Sequence, residues 1–171
     1  MASFLLKTEG IPSVEDMTKA PGIPSKDRIA CGPVAVIECF QEIPCNPCQT
    51  CCQRNAIVIH GSINGLPELI EEKCNGCGTC VAHCPGLAIF VIDATFSQDE
   101  GLVTLPYEFL PLPKPGHIVE IADREGRIIG EGRTINVIKS EKHDNTAVVK
   151  IAVPKNLVME ARDFYVRQGD V

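Results

Sequence analysis

Cys74-Asn-Gly-Cys77-Gly-Thr-Cys80-Val-Ala-His-Cys84-Pro85 is the stretch on which the reading of this chain turns. Its spacing, C-x2-C-x2-C-x3-C-P, is the run that holds a cubane iron–sulfur cluster. Three thiolates must converge on one small cube, so the backbone has to wrap tightly. Gly76 and Gly78 permit the dihedrals and the close approach that such a wrap demands. Pro85 turns the chain away and brings no N–H that would need a partner. The competing reading of clustered cysteines is structural zinc, which usually takes two separated C-x2-C pairs around a tetrahedron. Three thiolates within seven residues followed by Cys-Pro favour the cubane.

A second, less regular run lies upstream. Cys45-Asn-Pro-Cys48-Gln-Thr-Cys51-Cys52-Gln-Arg-Asn-Ala56-Ile57 can be read with Cys51 or with Cys52 as its third thiol. The residues beyond it favour Cys52. Cys84 is followed four positions later by Ala88-Ile89, and Cys52 is followed four positions later by Ala56-Ile57. The two runs then align without a gap as an internal repeat: Cys45, Cys48 and Cys52 against Cys77, Cys80 and Cys84. Cys39 takes the place of Cys74, with a longer spacer that contains Pro44. Cys31 and Cys51 are left over and read as buried free thiols, with Cys51 as ligand in place of Cys52 the open alternative.

Together these residues resemble the bacterial two-cluster ferredoxin module. They are more closely similar to the small ferredoxin-like subunit of flavin-dependent dehydrogenase complexes acting on proline, hydroxyproline or opine-type amines. That closer likeness is carried by Gly32-Pro-Val-Ala-Val-Ile-Glu-Cys39-Phe-Gln-Glu-Ile-Pro-Cys45-Asn-Pro-Cys48 and by Cys84-Pro-Gly-Leu-Ala-Ile-Phe-Val91. The chain departs from the module in one respect: no proline follows Cys52. In two-cluster ferredoxins the fourth cysteine of each run ligates the other cluster. The resemblance therefore implies two [4Fe–4S] clusters, one on Cys39, Cys45, Cys48 and Cys84, the other on Cys74, Cys77, Cys80 and Cys52. It implies electron transfer, with no catalysis by this chain alone, from flavin-containing dehydrogenase subunits in a hetero-oligomer to an acceptor. A free-standing soluble ferredoxin with an appended domain and a zinc-binding interaction module are the alternatives.

Composition is compatible with this. The formal net charge of the 171 residues is −6, and two oxidised clusters on eight thiolates would bring it to about −10. Such a chain is a poor nucleic-acid binder and favours a basic docking patch on its partner. The N-terminus lacks the apolar core of a signal peptide, and the apolar run Leu87–Ile92 is far too short to span a bilayer. A cytoplasmic location follows as the expectation, and there ten cysteines argue for metal sites over disulfides.

The rest of the chain divides by texture. Residues 1–30 are rich in Pro, Gly and charge and show no period, which predicts an irregular arm draped over the body or a partner. Residues 31–100 predict the ferredoxin domain: strands over 34–39, 56–60 and 87–93, an extended segment over 66–72, a turn of helix after Cys52 and a short helix over 79–84. Residues 101–171 predict a small β-rich domain, entered through the proline-stiffened Leu110-Pro-Leu-Pro-Lys-Pro-Gly116. Its strands are expected over 117–122, 127–129, 133–139 and 146–153, with turns at 123–126 and at His143-Asp-Asn145 and a short helix over 154–162. The predicted fold class is α+β, a ferredoxin-like two-cluster domain followed by a small antiparallel β-barrel-like domain. Gly130-Glu-Gly132 reads as a turn, since the third glycine of a nucleotide fingerprint is missing. His83, inside the second run, either tunes a cluster through its sulfurs or occupies a solvated helical position. His60, His117 and His143 stand isolated.

Overall fold

In the computed structural model residues 3–141 and 146–167 are described, so the expected turn at His143-Asp-Asn145 lies outside the described residues. In chain order the elements are helices α1 (Phe4–Thr8), α2 (Val14–Lys19) and α3 (Lys26–Ile29), strand β1 (Val34–Ile37), helix α4 (Pro47–Cys51), strands β2 (Ile57–Ile59) and β3 (Pro67–Leu69), helix α5 (Thr79–His83), and strands β4 (Ile89–Asp93), β5 (Glu100–Tyr107), β6 (Ile118–Ala122), β7 (Ile128–Ile138) and β8 (Ala147–Pro154). A 3-10 turn over Lys155–Leu157 and strand β9 (Asp163–Val166) follow.

The repeat is visible in the pairing. Each half runs strand, cysteine loop, helix, strand, and each strand pairs with one from the other half: β1 with β4, β2 with β3, both antiparallel. Equivalent backbone groups make equivalent bonds. The Ala56 N–H points to Cys52 Sγ at 3.3 Å and the Ala88 N–H to Cys84 Sγ at 3.4 Å. Glu38 N–H donates to Ala88 O, and Ile70 N–H to Ala56 O, both at 2.8 Å. Asn55 and Leu87, the residues before those alanines, both adopt positive φ, 49° and 52°.

That last pair yields a stability expectation. A left-handed conformation costs a non-glycine L-residue roughly 1–2 kcal/mol, and asparagine bears it more easily than leucine. Leu87 is 38% exposed, so little burial is lost on replacing it. Leu87→Asn, copying the residue at the twin position, is expected to raise thermal stability by about 1 kcal/mol, which for a chain of this size is roughly 2–4 °C in Tm. An unchanged or lower melting temperature would contradict this.

The expected barrel is not present among the described residues, whose β-rich half forms no closed barrel. One sheet runs β1-β4-β5-β8-β7-β6-β9, and its end strands β1 and β9 do not pair with each other among the described residues. The reason lies in β5, whose two edges pair with β4 of the ferredoxin half and with β8. The edge that a barrel would close on itself is instead satisfied by the neighbouring half. β1 and β4 are almost wholly buried, as is β8.

Other expectations are corrected in detail. Gly130-Glu-Gly132 is no turn but lies inside β7, a single strand of 11 residues where two had been expected. Gly132 is needed there because a Cβ would stand 2.8 Å from Ala152 O and 3.2 Å from Ile121. The helical turn of the first run precedes Cys52 instead of following it. The expected helix over 154–162 shrinks to the 3-10 turn, and β9, which no alternation had announced, follows it. The N-terminal segment carries three short helices, each with a serine (Ser3, Ser13, Ser25) accepting a bond from its first turn. Around α2, Ser13 and Asp16 form a capping box.

Candidate iron–sulfur site

Alternation along β1 and β4 decides where the cysteines can gather. Side chains two residues apart share a face of a strand. Ala35 pairs with Val91, and Ile37 with Ile89. Ala35 and Val91 line one cavity, of about 150 Å³, together with Cys52, Cys74, Cys77 and Cys80. Ile37 and Ile89 line a second, of about 30 Å³, together with Cys39, Cys45, Cys48 and Cys84. The two cavities therefore lie side by side on one face of the β1–β4 pair, displaced by two residues, or about 7 Å of strand. Each draws three cysteines from one run and one from the other. Cys51 lines neither.

The wrap of the second run depends on its glycines. Gly76 and Gly78 have φ of 65° and 83°, and a Cβ on Gly76 would stand 2.5 Å from Pro33. Cys74 Sγ accepts the Ala35 N–H at 3.4 Å, which ties the first thiol of this run to β1. Cys80 and Cys48 are buried on the helices α5 and α4, and Cys77 is exposed.

The thiols are crowded between apolar walls. Burial, then the neighbouring Cys84 and Cys45 thiolates, push Cys39 up. Burial pushes Cys48 and Cys51 up to about 11 each, and pushes Cys80 up further with help from Cys51 and Cys74. At Cys77 burial is outweighed by hydrogen bonds with Thr79 and by the charge of Arg54, so its thiol is lowered. Four cysteines around one shared cavity are the ligand chemistry of a [4Fe–4S] group, which would hold them as thiolates. Among the described residues no three His, Cys, Asp or Glu side chains are gathered tightly enough to hold a single metal ion.

The leftover residues fall out differently. Cys31, expected to be buried, is exposed in the turn after α3, its N–H bonded to Arg28 O. The four-residue α3 buries none of its own residues either. Cys51 is half-buried, and its Sγ meets Cys48 O at 3.5 Å. His83 is half-buried, with Nδ1 2.8 Å from Thr79 O in its own helix, and His60 pairs with Glu68.

Sequence reasoning missed the opposite face of the same strands. Glu38, immediately before Cys39, accepts bonds from Arg124 Nε and Nη2 at 2.9 and 2.7 Å and from Arg162 Nε at 2.7 Å. Arg162 lies over the Phe90 ring at 4.8 Å and is only 7% exposed. Burial pushes its guanidinium down to about 10, still charged at neutral pH. No local signal could have joined residues so far apart in the chain.

No helix among the described residues is long and apolar enough to cross a membrane. Residues 67–90 match the family described as 4Fe-4S binding domain. The chain is 40% identical over 52 residues to ferredoxin-type protein NapF of Escherichia coli K12, a stretch covering 29% of this chain and 32% of that protein. NapF of Haemophilus influenzae is 39% identical over 56 residues, 32% of each chain. Protein Pixie of Drosophila melanogaster is 27% identical over 86 residues, 47% of this chain and 14% of the fly protein. The likeness to the NapF proteins thus spans about a third of their length, and no solved structure matches the chain. Around its second cysteine run the chain therefore carries a 4Fe-4S domain of the ferredoxin type.

Proposed function

We propose that this chain is an electron-transfer subunit carrying two [4Fe–4S] clusters, one on Cys39, Cys45, Cys48 and Cys84 and one on Cys52, Cys74, Cys77 and Cys80. It relays electrons from a flavin-containing amino-acid dehydrogenase subunit to an acceptor. The observation that carries this reading is the division of eight cysteines between two adjacent cavities, each drawing on both halves of the repeat. A [4Fe–4S] group supplies one-electron uptake and release with little rearrangement.

The chain's own part is positional. The N–H groups of Ala35, Ala56 and Ala88 point at the Cys74, Cys52 and Cys84 sulfurs, and such bonds favour the extra negative charge of a reduced site. Ile37, Ile57, Ile89 and Val91 are buried and give the cavities apolar walls. The flavin partner rests on the resemblance of residues 32–48 and 84–91. The likeness to the ferredoxin-type NapF proteins leaves a second reading, a free-standing ferredoxin with an appended domain. Isolation from the native host separates the two: a subunit co-purifies with flavoprotein, a shuttle is recovered alone.

Anaerobically prepared protein is expected to contain about eight iron and about eight sulfide per chain, since each cubane holds about four of each. A value near four would remove one cluster from the proposal, and zinc in place of iron would end it.

A further inference from the structure

We propose that Arg28, in the N-terminal arm and outside both cysteine runs, is a positioning residue for the site that contains Cys74, and that its charge raises the reduction potential there. The proposal rests on the reading of Cys74 as a cluster ligand. The guanidinium of Arg28 spends its donors on backbone carbonyls: Nε on Glu71 O at 3.0 Å, Nη1 on Gly32 O at 3.1 Å, and Nη2 on both Pro33 O at 2.8 Å and Cys74 O at 2.7 Å. It thereby clamps the entry to β1 against the start of the second cysteine run.

Two further contacts depend on that clamp. Pro33 is pressed onto Gly76 with no room for a Cβ, and Ala35 N–H reaches Cys74 Sγ. The arm is anchored to the same loop a second time, since the Ser25 N–H and hydroxyl both donate to the Glu71 carboxylate, at 2.7 and 2.8 Å. Among the described residues no carboxylate is hydrogen-bonded to Arg28 itself; the Glu71 carboxylate, near enough to feel its charge, is bonded to Ser25. Four carbonyl dipoles orient the cation but do not cancel it, so a formal positive charge is held against the peptide of a ligating cysteine. Net charge around a cluster is one of the terms that set its potential. A fixed cation stabilises the more negative, reduced state, so its loss lowers the potential.

The test uses the full chain loaded anaerobically with ferrous iron and sulfide, as wild type, Arg28→Gln, Arg28→Lys and Lys26→Gln. One electron per cluster is supplied by dithionite through mediators, and the reduced fraction is followed by electron paramagnetic resonance. Arg28→Gln is expected to lower the equilibrium constant for reduction of one cluster at least tenfold, a shift of 59 mV for one electron, while the second cluster and the Lys26→Gln control stay at wild-type values. Arg28→Lys, which keeps the charge and loses the fork, is expected to hold the wild-type potential at a lower melting temperature. Wild-type potentials in Arg28→Gln at full iron content would overturn the proposal. So would an Arg28→Lys chain that loads fully yet shows the potential of Arg28→Gln, since it keeps the charge. A wild-type chain that binds no iron would instead overturn the proposed function.

Discussion

Cys52→Ser is expected to lower the iron content from about eight to about four per chain, and Cys51→Ser to leave it near eight, four iron being one cubane. The two residues are neighbours of the same chemistry, and only geometry separates them. Cys52 shares a cavity with Cys74, Cys77 and Cys80, whereas Cys51 lines neither cavity. Cys52 also receives the Ala56 N–H as Cys84 receives that of Ala88, so the two thiols hold equivalent places in the repeat. The remaining iron in Cys52→Ser should carry the spectrum of the site on Cys39, Cys45, Cys48 and Cys84. The reverse pattern, loss with Cys51→Ser and retention with Cys52→Ser, would show that the repeat has been aligned one residue out.

The second large effect is expected on stability. Glu38→Ala should cost about 3–5 kcal/mol, because it leaves the buried Arg162 charged without its hydrogen-bonded carboxylate and leaves Arg124 with Glu160 alone. At roughly 2–4 °C per kcal/mol for a chain of this size, the melting temperature should fall by about 6–20 °C. The same network sets an acid limit. Burial alone would raise the Glu38 carboxyl, but its bonds and charge interactions with Arg124 and Arg162 reverse this and hold it below its ordinary value of 4.5. The unfolded chain therefore takes up this proton first as pH falls. The contribution is complete above pH 4.5, drains as pH drops through the folded value, and is absent below it. Glu38→Ala should accordingly flatten the acid limb of a stability-against-pH curve. A variant within 1 kcal/mol of wild type at pH 7 would show that the pair is not a structural tie.

These two expectations mark what the sequence could and could not disclose. The cysteine runs were readable because ligand geometry is local: a cube of fixed size fixes the spacing of its thiolates along the chain. The twin alanines offered a register for the same reason. The join between halves was not, since β5 can pair with β4 or close onto its own domain with equal local propensity. The tie from Glu38 to Arg162 spans 124 residues, and nothing near either residue names the other. The N-terminal helices, of four to six residues, are too short for a helical period to show. Gly132 looked like punctuation because glycine is more often chosen for a turn than for the approach of a neighbouring strand.

The placement of both cavities on one face of a single strand pair also constrains how such a chain can change over generations. Because the sites are registered to Ala35 and Ile37 on one strand and to Ile89 and Val91 on the other, their separation comes in steps of the strand repeat and cannot be adjusted continuously. One residue inserted between Ala35 and Ile37 would not lengthen the gap slightly; it would turn one wall to the far side of the sheet, toward Phe90. Under the proposed function the distance between the two clusters would therefore change only in whole strand steps.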